Sequence, residues 1–264
     1  MRHIIHHMRH SVEPPPGATV SSLAYDFPPA CLVPEHAHAS DQVVYATRGV
    51  MEVRVGQSSW LIPPQFALWI PASIRHKIRM SGAVRMRTLY LRPGTADQMP
   101  NDCTVLHVTP LLRELIVETV RLGHLRSQMS LHIALKKLIV ANLHSAMRVP
   151  MRLAIPEDRR AAAVAAAAMA EPVNNRSFKA LCEDAGASTR TIQRLFLRQV
   201  GSNFETWRRQ ARLMKAIEHL VGGRSVKETS WRVGYQNTGA LVTLFRNTLG
   251  QTPKAWISSL GEGR

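Results

Sequence analysis

The chain of 264 residues, with 34 Lys and Arg against 18 Asp and Glu, carries a formal charge of +16, a balance that points to a polyanionic partner, either nucleic acid or an anionic membrane surface. Cys31, Cys103 and Cys182 are widely spaced and no C-x-x-C occurs, which excludes a disulfide framework or a zinc ribbon and fits a reducing cytosol. No run nears the ~18–20 apolar residues that cross a bilayer, and MRHIIHHMRH lacks the apolar core of a signal peptide, so a cytoplasmic protein with no membrane partner is expected.

Residues 1–17, ending in the Pro-rich Glu13 to Gly17, read as a flexible tail. From about Val20 to Leu91 short alternating strands follow, broken by turn signals. In GVMEVRVGQSSWLI, Val53 and Val55 alternate with Glu52 and Arg54, Gly56-Gln57 supplies a turn, and Trp60-Leu61-Ile62 begins the return strand of a hairpin. VRMRTLYL, Val84 to Leu91, sets Arg85 and Arg87 on one face. Strands at this spacing suggest a sandwich or small barrel.

HAHASDQVVYATRG, His36 to Gly49, and PASIRHKI, with Pro71 and His76, resemble the two cupin motifs. Gln42 stands where the first has a metal-binding glutamate, and Ser73 where the second has a glycine. The resemblance implies a cupin-like β-barrel and makes His36, His38, Gln42 and His76 the metal-ligand positions. Losing the carboxylate removes charge, and an amide is a poor ligand, so no cofactor is required, with a divalent metal as the alternative. A second alternative is an effector pocket lined by His36, His38, Gln42, Tyr45, Trp69 and His76; a third is histidines that only pack.

From Thr109 the period changes from two to about 3.6. TPLLRELIVETVRLGHL places Leu111, Leu115, Val117 or Glu118, and Leu122 at helical intervals, and SLHIALKKLIVANLHSAM does so with Ile133, Leu135, Leu138, Ile139 and Leu143. Two amphipathic helices are expected, covering the barrel or pairing with a second subunit. RVPMRLAIPEDRR, Arg148 to Arg160, holds two prolines and marks a domain boundary. AAAVAAAAMA beyond it is rich in the best helix former and predicts a helix.

The last third of the chain repeats itself. SFKALCEDAGASTRTIQRLF, Ser177 to Phe196, parallels SVKETSWRVGYQNTGALVTLF, Ser225 to Phe245, and RLFLRQVGSNFETW parallels TLFRNTLGQTPKAW, with Leu195, Phe196, Gly201 and Trp207 matching Leu244, Phe245, Gly250 and Trp256. In each copy a capping serine (Ser177, Ser225) opens a short helix, a glycine (Gly186, Gly234) takes the turn, and a second cap (Ser188, Asn237) starts another helix. That is the spacing of a helix-turn-helix, whose second helix enters the major groove by its N-terminal end.

The first unit then offers Arg190, Gln193 and Arg194 to base edges, with Ile192, Leu195 and Phe196 turned to the core. The second offers Thr238, Gly239, Ala240 and Thr243, small groups that reach a thymine methyl or a phosphate but make no bidentate bonds. Arg198, Arg246 and Lys254, with the helix N-termini at Ser188 and Asn237, should meet phosphates. Glu205 to Leu220 reads as a spacer helix with Trp207, Leu213, Ile217 and Leu220 buried, able to hold both recognition helices in major grooves about 34 Å apart.

From about Pro156 to Trp256 the chain resembles the DNA-binding domain of the AraC/XylS transcription regulators, with STRTIQRLF, WRRQARLMKAIEHL, VGYQNTGALVTLFR and LGQTPKAW in order. The resemblance assigns the base-reading positions just named; Gly239 and Leu241 stand where many members have serine and phenylalanine. It implies an α+β chain: an effector-sensing cupin-like β-barrel with a helical connector (18–150), then an all-α double helix-turn-helix domain (156–260). The expected partners are double-stranded promoter DNA, RNA polymerase and a small-molecule effector, with a homodimer allowed and no enzymatic activity. The alternative function is a metal-dependent cupin enzyme tethered to a DNA-binding domain. An alkyl-transfer repair protein would need an activated cysteine, and none of the three has suitable neighbours.

Overall fold

A computed structural model of the protein describes residues 13–149, 151–170 and 176–261. It divides into two compact units, residues 1–56 with 60–150, and residues 57–59 with 151–264. Residues 1–12 of the expected tail lie outside the described residues. Glu13–Gly17 is tied down: Glu13 accepts from the Ala39 N–H at 2.8 Å and from the Ser40 hydroxyl, while Arg92 donates to the Pro14 carbonyl at 3.0 Å.

The first unit is a curled antiparallel sheet followed by helices. Its strands are β1 (Ala18–Phe27), β2 (Leu32–His36), β3 (Asp41–Val44), β4 (Ala46–Val55), β5 (Ser58–Ile62), β6 (Phe66–Ile70), β7 (His76–Leu91), β8 (Thr104–His107), β9 (His124–Arg126) and β10 (Arg148–Val149). The long β7 organises it. Its second half pairs with β1, from Val84↔Phe27 to Leu91↔Val20, and with β3 at Gln42↔Tyr90; its first half pairs with β2 and β4. As expected, Arg85 and Arg87 share a face, where both meet Asp26.

Side-chain alternation splits the sheet into two faces. Val43, Tyr45, Trp69, Leu89 and Leu91 form one core with Leu112, Leu115 and Ile116 of helix α1 (Pro110–Leu122) and Leu135, Ile139 and Leu143 of α2 (Ser130–Ser145). Both helices therefore cover their own sheet. The stripe of α1 differs from the expected one: Leu112, Leu115, Ile116 and Thr119 are buried and Leu111 is 54% exposed. Thr119 hides its polarity by donating to the Leu115 carbonyl at 2.8 Å, so the true stripe contains a residue that a hydrophobic pattern skips. On α2, Leu138 is likewise 46% exposed and His132 takes an inner place, accepting from the Arg126 N–H.

The second unit contains β11 (Arg152–Ala154), α3 (Arg159–Ala170), α4 (Phe178–Asp184), α5 (Thr189–Val200), α6 (Phe204–Val221), α7 (Val226–Arg232), α8 (Thr238–Leu249) and α9 (Pro253–Gly261). The Ala-rich stretch is helical as expected, burying Ala161, Val164 and Ala165. The spacer α6 buries Trp207, Leu213, Ile217 and Leu220 as anticipated, and it packs against both α5 and α8. Its Trp207 indole donates to the Ala154 carbonyl at 2.8 Å, fastening β11 to the helical core.

Candidate nucleic-acid interface and histidine cluster

Each helix-turn-helix is built by the expected signals. Ser177 and Ser225 accept from the N–H groups of Ala180 and Glu228 at 3.2 and 3.1 Å. Gly186 and Gly234 take φ values of +64° and +83°, conformations that a residue with a Cβ adopts at a cost. Ser188 then accepts from the Thr191 N–H at 3.1 Å and Asn237 from the Ala240 N–H at 3.1 Å, starting α5 and α8.

On α5, Arg190 and Arg194 are exposed, while Ile192, Leu195 and Phe196 are buried as expected. Gln193 lies between these sets, and its Oε1 accepts the Phe204 N–H at 3.2 Å. A bidentate bond to adenine needs both the oxygen and the nitrogen of the amide. The Gln193 oxygen is thus already engaged in closing the N-terminus of α6.

On α8, Thr238, Gly239 and Thr243 are exposed and Ala240 is half-buried. A Cβ at Gly239 would stand 3.3 Å from the capping oxygen of Asn237, so the glycine leaves the cap uncrowded where a serine would press on it. Sequence reasoning passed over Trp231, which is 60% exposed on α7. With Lys227, Tyr235, Gln236 and Thr238 it lines a cleft of about 610 Å³ at the N-terminal end of α8. The repeat itself held a signal, because Trp231 occupies the place of the charged Glu183 in the first copy.

Charge pairing separates two classes of cation. The carboxylates described between Arg176 and Gly261 are Glu183, Asp184, Glu205, Glu218 and Glu228, and they pair with Lys179, Arg176, Arg208, Lys215, Arg224 and Arg232, none of which lies on α5 or α8. Arg190, Arg194, Arg198, Arg246 and Lys254 are exposed, and among the described residues no ion pair engages them. Such surface pairs contribute little to stability. Their distribution matters here because it leaves uncompensated charge on the recognition helices.

In the first unit the residues expected to line one pocket fall on two faces. Gln42 pairs with Tyr90 and Val43 with Trp69, so Gln42 and Tyr90 share one face while Val43, Tyr45 and Trp69 share the other. Tyr45 and Trp69 belong to the core beneath α1 and α2, and the Trp69 indole donates to the Pro100 carbonyl at 2.9 Å. Alternation along the paired strands separates them from the histidines.

His36, His38 and His76 do come together. Ring centroids are 4.3 Å apart for His36 and His76, 5.3 Å for His38 and His76, and 6.0 Å for His36 and His38. Gln42 reaches the group through Oε1, 3.0 Å from His38 Nε2, and Tyr90, unremarked in the sequence, packs edge-on to His38 at 5.1 Å. Burial and then the neighbouring His36 push the His76 imidazolium down to a pKa of about 3, so the ring is neutral near pH 7. Ser73 replaces the expected glycine but keeps a left-handed backbone, with φ of +66°, and its N–H donates to the His38 carbonyl at 2.8 Å.

Comparison with known proteins agrees with this architecture. A family model described as an AraC-like ligand binding domain matches residues 22–168, and one described as a helix-turn-helix domain matches residues 181–259. The chain is 29% identical over 230 residues to the HTH-type transcriptional regulator NimR of Escherichia coli (strain K12), covering 86% of this chain and 83% of that protein. It is 33% identical over 104 residues to the HTH-type transcriptional regulator RipA of Corynebacterium glutamicum, covering 39% of this chain and 31% of that one. Among solved structures, ToxT of Vibrio cholerae with a bound unsaturated fatty acid aligns with 90% of this chain and 95% of its own at 11% identity and a TM-score of 0.38.

Proposed function

The chain belongs to the AraC/XylS family of transcriptional regulators, and from that premise we propose that it grips one promoter site with both helix-turn-helix units while residues 18–150 take a small effector that sets DNA occupancy. One observation carries the reading: Arg190, Arg194, Arg198, Arg246 and Lys254, exposed and outside any ion pair among the described residues, lie on or just beyond the two recognition helices. A phosphate backbone is the partner that neutralises such a set. In this reading Arg190 and Arg194 read base edges, Gln193 braces α6, and Thr238, Gly239, Ala240 and Thr243 fit against a groove wall with little hydrogen-bonded selectivity. Arg198, Arg246 and Lys254 meet phosphates, as do the N–H groups at the starts of α5 and α8, since the side chains of Ser188 and Asn237 are taken up as caps.

The spacer α6, 18 residues and so about 27 Å long, suits two helices seated in successive major grooves about 34 Å apart. Two reading heads in one chain make a dimer unnecessary for contacting two half-sites. Effector occupancy would act on DNA binding or on contact with RNA polymerase, and the first unit would serve as a sensor without a catalytic step. The test is affinity for sites selected from random DNA, measured at several salt concentrations. A site-selective complex whose log K falls steeply with log salt is expected; binding indifferent to sequence would refute the reading.

A further inference from the structure

Building on the DNA-binding reading of the second unit, we propose that the solvent face of the β4–β7 strand pair in the first unit is a further DNA-binding surface. It takes the phosphate backbone of duplex DNA adjoining the site held by the helix-turn-helix units. Alternation along β7 buries Ile78, Met80, Val84 and Met86 on the inner face and turns Lys77, Arg79, Arg85 and Arg87 outward. Strand register adds two more cations from β4, Arg48 opposite Arg85 and Arg54 opposite Lys77.

Two carboxylates share this face. Glu52 accepts from Arg54 and Arg79, both at 2.7 Å, and Asp26 accepts from Arg87 at 2.8 Å with Arg85 3.7 Å away. At the rim Glu35 is taken up by Arg75 at 3.4 Å. The six cations therefore exceed the carboxylates set among them by four charges. Among the described residues no ion pair engages Arg48 or Lys77.

The arrangement works against the fold. Residues directly opposite on paired strands stand with Cβ atoms about 4.5–5.5 Å apart, and like charges so placed destabilise a sheet. Arg48 with Arg85 and Arg54 with Lys77 are two such rungs on one strand pair. A polyanion laid across them relieves the repulsion. Every one of the six cations except Lys77 is an arginine, whose planar fork grips phosphate oxygens in pairs, and Glu52 and Asp26 hold three of those forks in place. From Lys77 to Arg87 the strand runs about 33 Å along its length, close to one helical turn of duplex DNA, so the row matches a stretch of backbone and not one small anion. DNA bound by the second unit is also presented to the first at high effective concentration, because both units are one chain.

The experiment titrates full-length protein with two duplexes carrying a site selected from random DNA, one ending at the borders of the site and one extended on each side by about one and a half helical turns. The extended duplex should bind at least ~10-fold more tightly at low salt, with a slope of log K against log salt steeper by about 3–4, since each neutralised phosphate contributes ~0.9. Arg48→Glu with Lys77→Glu turns both like-charged rungs into opposite-charged ones, so the sheet should be at least as stable in thermal denaturation. That variant should lose the gain from the flanks and hold the short duplex as before. If it fails to fold, Arg48→Gln with Lys77→Gln removes two charges instead and should cut the extra slope by about half. Equal affinity and slope on the two duplexes, the result expected if an acidic protein surface or an anionic membrane is the true partner, would overturn the proposal. So would a flank effect that survives in both variants. Failure of the regulatory reading itself looks different, because the short duplex would then lose its site selectivity.

Discussion

Gln193 on the first recognition helix and Phe204 on the spacer are joined through Oε1 and a backbone N–H at 3.2 Å, so a side chain of base-reading type is holding two helices in register. Gln193→Ala should lower the stability of the second unit by about 1 kcal/mol, as loss of a side-chain acceptor for a helix-terminal N–H does, and weaken binding to all DNA sequences alike. Arg194→Ala should instead cost ~1–3 kcal/mol on the selected site and relax preference at one base position. Thermal denaturation with binding to a panel of single-base variants separates the two effects.

For Arg198, Arg246 and Lys254, alanine substitution should reduce the slope of log K against log salt by about 1 for each phosphate left without its cation, and the preferred sequence should stay the same. Replacing Arg176, which is bonded to Asp184 at 2.5 Å, serves as the control and should leave the slope nearly unchanged.

Trp207 meets Phe196 with ring centroids 5.4 Å apart and planes at 72°, and 49 residues on Trp256 meets Phe245 at 5.8 Å and 71°. The repeat is therefore one of packing as well as of sequence. Trp207→Ala should destabilise the second unit by ~3–5 kcal/mol. Trp207→Phe keeps most of the ring but removes the donor to the Ala154 carbonyl and should cost ~1–3 kcal/mol, as read from chemical denaturation.

Burial by itself would raise the Glu52 carboxyl pKa, but hydrogen bonds and charge from Arg54 and Arg79 outweigh it and hold the group below the usual carboxylate range. A depressed native pKa contributes stability that is complete above the unfolded-state value and lost as pH falls through the native one. Stability measured downward from pH 7 should fall in the acid range, and Glu52→Gln should be less stable near neutrality with a flatter acid limb.

Ser73 adopts φ of +66°, where a Cβ costs roughly 1–2 kcal/mol. Ser73→Gly should raise stability by up to about 1 kcal/mol, the greater freedom of glycine in the unfolded chain offsetting the rest. A fall in denaturation midpoint would mean that the serine side chain holds the turn.

How much could be read from the sequence depended on how local the cause was. Caps at Ser177, Ser188, Ser225 and Asn237, the turns at Gly186 and Gly234 and the buried side of the spacer come from residues within a few positions of one another, and all were legible. The faces of α1 and α2 were harder, because Leu111 and Leu138 are as apolar as the residues that are buried and Thr119 hides its hydroxyl in its own helix. The grouping of Tyr45 and Trp69 with the histidines failed on alternation across paired strands. Tyr90 and Thr88 joined Gln42 through pairing over more than forty residues, which no local pattern announces.

Arg190, Arg194 and Arg198 recur every four residues, forming a column of like charge along one side of α5. Neighbouring cations at this spacing strain a helix by ~0.2–0.5 kcal/mol per pair. The free protein accordingly holds its recognition helix under electrostatic tension, which dissolved ions relax. Added salt should firm up that helix in the unbound molecule while loosening the complex, opposite responses to one variable from the same three side chains.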